Sequence, residues 1–221
     1  KIIGDYFATG IIAGYHSKNT IIKNNNVYVK ANNVAYGLTL ELSQASTILN
    51  NTFDLAAEVI YGIEGFASNN NKISQNTITG KDVYGIAATG SKYNTVSENK
   101  ITANGNGEKL SFTNYDSIKE GNAGIFLTGN STHNTIIDNE ITSKTGFAVN
   151  LNTTAKNNII SNNFLSAKEG SGNDGVNNTN GNTVENNYKY IFSDIVFNDI
   201  TVAYLDETTI KITASNSHQL K

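Results

Sequence analysis

Two carboxylates come nearest to a catalytic pair in this sequence. Glu41 and Glu64 occupy outward positions in two successive copies of a sequence repeat. One repeat step plus an offset of two residues would separate them by about 8 Å, which is within the range of an inverting glycoside hydrolase pair. The competing interpretation is two solvated carboxylates on an exposed strand, the usual environment of Glu. The sequence has no Asp-x-Asp or Asp-Asp cluster to support catalysis.

Tyrosines supply a second kind of candidate, because a row of aromatic rings can bind sugars by stacking. Tyr36, Tyr61 and Tyr84 each precede a glycine in three successive copies of the repeat. Strand alternation places them on the interior face with Ile63 and Ile86. We therefore expect an internal aromatic stack rather than a sugar platform.

Four further aromatic residues are candidates for binding. Phe66 and Phe126 have the opposite parity and should face outward, several repeats apart, so that they form one patch only if an insertion bridges them. Phe112 and Tyr115 lie within that insertion and are the preferred binding candidates. The alternative for these two is that they anchor the insertion to the wall of the fold.

Metal ligands are sparse. His16, His133 and His218 show no metal-binding spacing, and the sequence has no Cys. The run Gly170-Ser171-Gly172-Asn173-Asp174 loosely matches the calcium repeat Gly-Gly-x-Gly-x-Asp, but it occurs once, whereas such sites need successive copies. We expect no metal and no other cofactor, with calcium as the alternative.

A repeat organises most of the chain. The repeat has an opening glycine, a polar turn, an apolar residue, an Asn three positions later and another apolar residue two positions after that, although the seventh copy has Lys189 in the last position. The Asn positions are Asn25, Asn51, Asn76, Asn99, Asn139, Asn162 and Asn187, at steps of 26, 25, 23, 40, 23 and 25 residues. The opening glycines are Gly10, Gly37, Gly62, Gly85, Gly124 and Gly146.

This period, with strand-type spacing, predicts a right-handed parallel β-helix of about seven to eight rungs. Each strand is too short to bury a face alone, so successive rungs must stack at about 4.8 Å. Asn tolerates the left-handed backbone of a tight corner, and its amide can donate to one neighbour and accept from the other. We therefore predict that the seven asparagines form an Asn ladder.

Two segments depart from the repeat. Residues 102–123 form the insertion that causes the step of 40 residues, and we expect them to pack back on the solenoid wall. The Asn column stops near residue 190, and residues 191–221 contain two strand-like runs. We interpret 1–190 as the β-helix and 191–221 as a β-rich C-terminal cap or the start of a β-sandwich domain.

Composition excludes several classes of function. The net charge is −3, all 16 basic residues are Lys, and no Lys cluster provides an electrostatic footprint for nucleic acid. The apolar runs are too short to cross a membrane. The sequence begins at Lys1 and contains no Met, so we expect a piece of a longer, multidomain chain.

N-glycosylation sequons occur at Asn50-Asn51-Thr52, Asn130-Ser131-Thr132, Asn152-Thr153-Thr154 and Asn177-Asn178-Thr179. Several would arise by chance in a sequence so rich in Asn and Thr. They matter only if the protein is displayed outside the cell.

The repeat as it stands in Gly124-Ile125 and Asn134-Thr135-Ile136-Ile137-Asp138-Asn139-Glu140-Ile141 resembles the parallel β-helix repeats of the pectate-lyase-like superfamily. With the bias toward Asn, Ile, Lys and Thr, residues 1–190 look most like adhesin-like surface proteins of methanogenic archaea. The resemblance implies an extracellular, cell-surface module that contacts glycans or surface proteins of another cell without catalysis. The alternatives are a polysaccharide-degrading enzyme and a structural stalk, because one fold hosts many functions.

Overall fold

The computed structural model describes residues 1–80, 83–103, 123–144, 146–177 and 179–189, together with the backbone of 200–204 and 210–214. Contacts divide the chain into two compact units, Lys1–Lys189 and Tyr190–Lys221. In the second unit the described backbone is an antiparallel pair of strands, in which Ile200 is paired with Ala214.

The first unit consists almost wholly of short strands. In chain order they are β1 (Ile2–Gly4), β2 (Phe7–Ala13), β3 (Ile21–Lys23), β4 (Asn26–Ala31), β5 (Val34–Glu41), β6 (Thr47–Leu49), β7 (Thr52–Ala56), β8 (Val59–Phe66), β9 (Lys72–Ser74), β10 (Thr77–Gly80), β11 (Val83–Thr89), β12 (Thr95–Ser97), β13 (Lys100–Ala103), β14 (Ile125–Thr128), β15 (Thr135–Ile137), β16 (Glu140–Ser143), β17 (Val149–Leu151), β18 (Ile159–Ser161), β19 (Phe164–Ala167), β20 (Val176–Asn177) and β21 (Thr183–Glu185). The described helical structure is one 3₁₀ turn, Gly172–Gly175. Strands β22 (Ile200–Tyr204) and β23 (Ile210–Ala214) belong to the second unit.

Every third strand joins the same parallel sheet. Sheet A has the order β1-β4-β7-β10-β13-β16-β19, sheet B the order β2-β5-β8-β11-β14-β17-β20, and sheet C the order β3-β6-β9-β12-β15-β18-β21. Six complete turns of chain therefore connect β1 to β19, and β20 and β21 begin a seventh. The fold is an all-β parallel solenoid, which confirms the predicted fold class.

The interior is a continuous column of aliphatic side chains contributed by all three sheets. Ile48, Ile78 and Ile63 are all fully buried, and they come from sheets C, A and B. Such burial stabilises the fold by about 25 cal/mol per Å² of apolar surface removed from water. Because each strand has one inward face, no rung can be stable without its neighbours.

The predicted Asn ladder is present, with one member corrected. The Nδ2 of each member donates to the Oδ1 of the next at 2.9–3.0 Å, through Asn25, Asn51, Asn76, Asn99, Asn139, Asn163 and Asn187. The sixth member is thus Asn163 and not Asn162. Ile160 pairs with Ile136 and Leu165 with Ile141, so this rung is shifted by one residue from the predicted alignment.

The ladder asparagines do not themselves adopt the left-handed conformation. The residue before each one does, with φ between 52° and 58° at Asn24, Asn50, Gln75, Glu98, Asp138, Asn162 and Asn186. This residue makes the corner, and the buried Asn after it ties the corner to the next rung. The predicted reason for Asn at the ladder position was therefore half wrong: its amide matters, and its tolerance of positive φ does not.

Two further ladders were missed. Five residues before the first ladder, Asn71, Asn94, Asn134, Asn158 and Asn182 are linked in the same way, with Nδ2–Oδ1 distances of 3.0–3.1 Å. Three residues before those, the hydroxyls of Ser68, Ser91 and Ser131 accept backbone N–H groups of the preceding rung at 3.0–3.1 Å. The constant offsets of five and three residues were visible in the sequence.

Candidate binding face

Sheet B carries the residues that the sequence singled out. On its outer surface, Ile12, Thr39, Glu64, Ala87, Phe126 and Asn150 stand in one column, each paired with the next by strand register. A neighbouring column begins with Glu41, Phe66, Thr89 and Thr128. We call these two columns the outer face of sheet B.

The three tyrosines also lie outside, contrary to the sequence prediction. Tyr61 and Tyr84 form an apolar cluster with Val59 and Phe126 that is separate from the solenoid core. Phe126 points outward, because its neighbours Ile125 and Leu127 are both in the core. Its ring lies 5.3 Å from that of Tyr84, so Tyr84 must share this outward face.

A glycine breaks the alternation on which the prediction rested. A Cβ at Gly62 would meet the carbonyl oxygen of Gly85 in the next rung and Cγ2 of Ile78 in sheet A. The position therefore points inward and admits no side chain. Ile63, the next residue, is also in the core, so two successive inward residues put Tyr61 on the opposite face.

The outward tyrosines still do not form a sugar platform. Tyr36 stacks on Tyr61 at 5.0 Å and Tyr61 on Tyr84 at 5.5 Å between ring centroids. Tyr61 is 8% exposed and Tyr84 is 2% exposed. The aromatic stack that the sequence favoured is present, outside the solenoid rather than within it, and its ring faces are covered.

Glu41 and Glu64 lie on adjacent rungs with the predicted offset of two residues. Thr39 pairs with Glu64, and Glu41 pairs with Phe66. Both residues are partly buried. Burial, and after it the negative charge of Glu41, raise the pKa of Glu64 above its ordinary value of 4.5. The two groups are thus close enough to interact, and neither has an ion-pair partner among the described residues.

The two phenylalanines of this face differ in exposure. Phe66 is 51% exposed, whereas Phe126 is 4% exposed. They stand two rungs apart, in β8 and β14. Phe66, with Glu41 and Glu64, is therefore the accessible part of the predicted set.

The other two predicted binding residues, Phe112 and Tyr115, fall outside the described residues, as does nearly all of the insertion. The residues predicted as the two ends of the insertion belong to the regular fold: Thr102 and Ala103 are part of β13, and Ala123 is fully buried. The predicted opening glycine Gly146 is also misplaced, because Ala148 occupies the position that Gly124 has in the preceding rung.

The described residues offer little to a metal ion. They contain no group of three or more His, Cys, Asp or Glu side chains that could hold one. His16 and His133 are exposed corner residues four rungs apart, about 19 Å along the solenoid axis. His133 stacks on Tyr93 with 5.1 Å between ring centroids. Asn173, from the calcium-like run, closes the first ladder by accepting from Asn187 Nδ2 at 2.9 Å.

The sheets and ladders define a parallel β-helix protein. A family model described as periplasmic copper-binding protein (NosD) matches residues 4–197, and the chain belongs to this family. Neither a curated protein nor a solved structure matches the chain. The match supports the predicted β-helix repeat and an extracellular or periplasmic module; it does not support an adhesin or an archaeal source. The description names binding and no reaction, which is consistent with a non-catalytic protein.

The expectation of no cofactor, with calcium as the alternative, is wrong on this finding, because the family description points to copper. The described residues do not fit that metal well. The sequence has no Cys or Met, the soft ligands of Cu(I), and the two described histidines are too far apart to share an ion. His218 lies outside the described residues. No helix among the described residues is long and apolar enough to span a membrane.

Proposed function

We propose that this chain is a non-catalytic, adhesin-like module of the cell surface that binds glycans of another cell on the outer face of sheet B. The supporting observation is an accessible aromatic ring beside two carboxylates: Phe66 is 51% exposed, and Glu41 and Glu64 flank it on the same face. A ring can pack on the apolar side of a sugar, while carboxylates accept hydrogen bonds from its hydroxyls. Surface proteins of another cell are the alternative partner.

The solenoid suits this role mechanically. Three hydrogen-bonded ladders, in addition to the strand hydrogen bonds, connect the rung of Phe66 to the next rung. A face held in this way changes little on binding, so little conformational entropy is lost when a ligand is ordered on it.

The test is a printed glycan array probed with the chain and two variants. Phe66→Ala should lose about tenfold in affinity for any glycan that binds, which corresponds to about 1.4 kcal/mol. Tyr93→Ala removes a similarly exposed aromatic residue, 55% exposed, from a corner that follows sheet B, and should bind as the unchanged chain does. Equal binding by all three proteins would reject this face as the site.

A polysaccharide hydrolase is the second candidate, favoured by the raised pKa of Glu64 beside Glu41. In an inverting pair Glu64 would be the general acid and Glu41 the base that activates water. Release of reducing sugar from a bound glycan, abolished in both Glu64→Gln and Glu41→Gln, would replace the non-catalytic proposal with this one. If no glycan binds, a structural stalk becomes the better account.

A further inference from the structure

Among the sequons of this chain, one has an asparagine that is both exposed and free of side-chain hydrogen bonds. Asn130, of Asn130-Ser131-Thr132, is exposed in the turn after β14. Its side-chain amide makes no hydrogen bond to the described residues, whereas its backbone N–H donates to Thr154 Oγ1 at 3.2 Å. The backbone is thus fixed to the next rung while the side chain projects freely.

The asparagines of the other sequons are engaged. Asn50 is exposed, but its Nδ2 donates to Asn24 Oδ1 at 2.9 Å. Asn152 is partly buried, and its Oδ1 accepts from Thr154 N at 3.2 Å and from two threonine hydroxyls at 3.3 Å. Asn177 Nδ2 donates to the buried Asn150 at 3.0 Å. A glycan on Asn50 or Asn177 would use the Nδ2 that now donates a hydrogen bond, and a glycan on Asn152 would displace a partly buried side chain.

We propose that Asn130 is an N-glycosylation site of this protein. The required sequence is present, Asn followed by a residue other than Pro and then Thr, and the site is on the surface. In the reaction Asn130 Nδ2 forms a bond to C1 of a lipid-linked oligosaccharide. The bond between C1 and the pyrophosphate oxygen breaks, the lipid pyrophosphate leaves, and a base of the transferase takes the amide proton.

The buried middle residue explains why a glycan would be tolerated here. Ser131 is fully buried, and its hydroxyl donates to Ala88 O at 3.0 Å, so the strand end is fixed from inside. Asn130 turns outward from that anchor with a φ of 62°, on the corner where sheet B ends. A glycan at this place extends into solvent and requires no rung to move.

The inference rests on an extracellular or periplasmic location and is independent of which ligand the outer face of sheet B binds. The test is secretion of the full chain from a eukaryotic cell line, with peptide mass mapping before and after treatment with an N-glycosidase. Asn130→Gln and Thr132→Ala should both lose the glycan. Thr132→Ser keeps the sequon and should keep the glycan, as should Asn50→Gln and Asn152→Gln.

Melting temperatures separate this result from a folding defect, because all five variants should melt within a few degrees of the unchanged chain. The proposal is overturned if the secreted chain carries no N-glycan, or if the glycan persists in Asn130→Gln. Loss of the glycan in Thr132→Ser together with Thr132→Ala would also overturn it, because recognition would then not follow the sequon.

Discussion

At the corners of the first Asn ladder two adjacent residues have different roles. One adopts positive φ and turns the chain; the next is buried and bonds to the following rung. In the rung that contains β18 and β19 these are Asn162, with a φ of 56°, and Asn163, which is fully buried. Because both are Asn, the sequence alone could not tell which is which.

Substitutions of these two neighbours should differ greatly in their effect on stability. Asn163→Ala removes the acceptor of the Asn139 backbone N–H and of Asn139 Nδ2, both at 2.9 Å, and the donor to Ile136 O at 3.0 Å, so the buried Asn139 N–H loses its partner. We expect a loss of about 3 kcal/mol in the free energy of unfolding. Asn162→Gly keeps the left-handed corner and should change it by less than about 0.5 kcal/mol. Chemical denaturation measures both, and equal losses would contradict the assigned register.

Corner residues other than Asn and Gly are strained, and Ala45 is an exposed example with a φ of 52°. Ala45→Gly should stabilise the protein by about 0.5–1 kcal/mol, because the left-handed region costs an L-residue about that much more than it costs glycine. Ala56, in β7, has no positive φ, so Ala56→Gly should destabilise by a similar amount. A fall in melting temperature for both variants would contradict the corner assignment.

Glu64 makes the stability of the protein depend on pH. Its pKa is raised, mainly by burial and then by Glu41, so the folded state binds a proton more tightly than the unfolded state. The contribution is present below the unfolded pKa near 4.5 and is lost as pH rises through the folded pKa. Glu64→Gln should therefore melt above the unchanged chain at pH 7, with the difference shrinking toward pH 4.

Melting curves of both proteins across this pH range measure the effect. Glu41→Gln is the control for the second cause, since it removes only the repulsion and should reproduce part of the gain at pH 7. An unchanged difference between Glu64→Gln and the parent at pH 4 and pH 7 would show that Glu64 does not titrate between them.

At the scale of the strand, small residues decide where alternation holds. In the inward column of sheet B, Leu40, Gly65, Ala88 and Leu127 follow one another on successive rungs. The two small residues leave a cavity of about 20 Å³ that is also lined by Asn71 and Ser91. Gly62 lies in the same strand as Gly65, but the space on its inward side is already filled by neighbouring atoms.

Two alanine substitutions in β8 should therefore differ in sign. At Gly65 a Cβ would have its nearest neighbours at 3.6 Å, Ser91 Oγ, and at 3.8 Å, Ala87 O. Gly65→Ala should stabilise by up to about 1 kcal/mol. Gly62→Ala would push its methyl against Gly85 O and Ile78, and should cost about 1–3 kcal/mol. Stabilisation by both, measured by urea denaturation, would contradict the inward position of Gly62.

For the molecule as a whole, the solenoid could be predicted because the sequence repeat recurs once for each rung. The Asn, Ile and Gly columns predicted the stacking of the strands into sheets. The offset between Glu41 and Glu64 predicted that these two residues lie close together. The prediction of register and of side-chain direction failed where the spacing of residues does not determine them. Doublets such as Ile159-Ile160 fit either register, and Gly62 and Ile63 both point inward, which strict alternation does not allow.

Copper binding could not be predicted from the sequence either, because the His residues show no metal-binding spacing and there is no Cys or Met. The family description alone points to the metal, and the described residues add no set of three ligands. The exposed part of the outer face of sheet B therefore remains the feature on which the proposed function depends, and Phe66 is the aromatic side chain that is accessible there.

The most direct test of that function is the affinity of the unchanged chain, Phe66→Ala and Tyr93→Ala for the strongest glycan on the array, measured with an assay for released reducing sugar. We predict binding without sugar release, an affinity about tenfold lower for Phe66→Ala, and no change for Tyr93→Ala. Binding that is equal in Phe66→Ala and the unchanged chain, or any release of sugar, would contradict a non-catalytic binding face on sheet B.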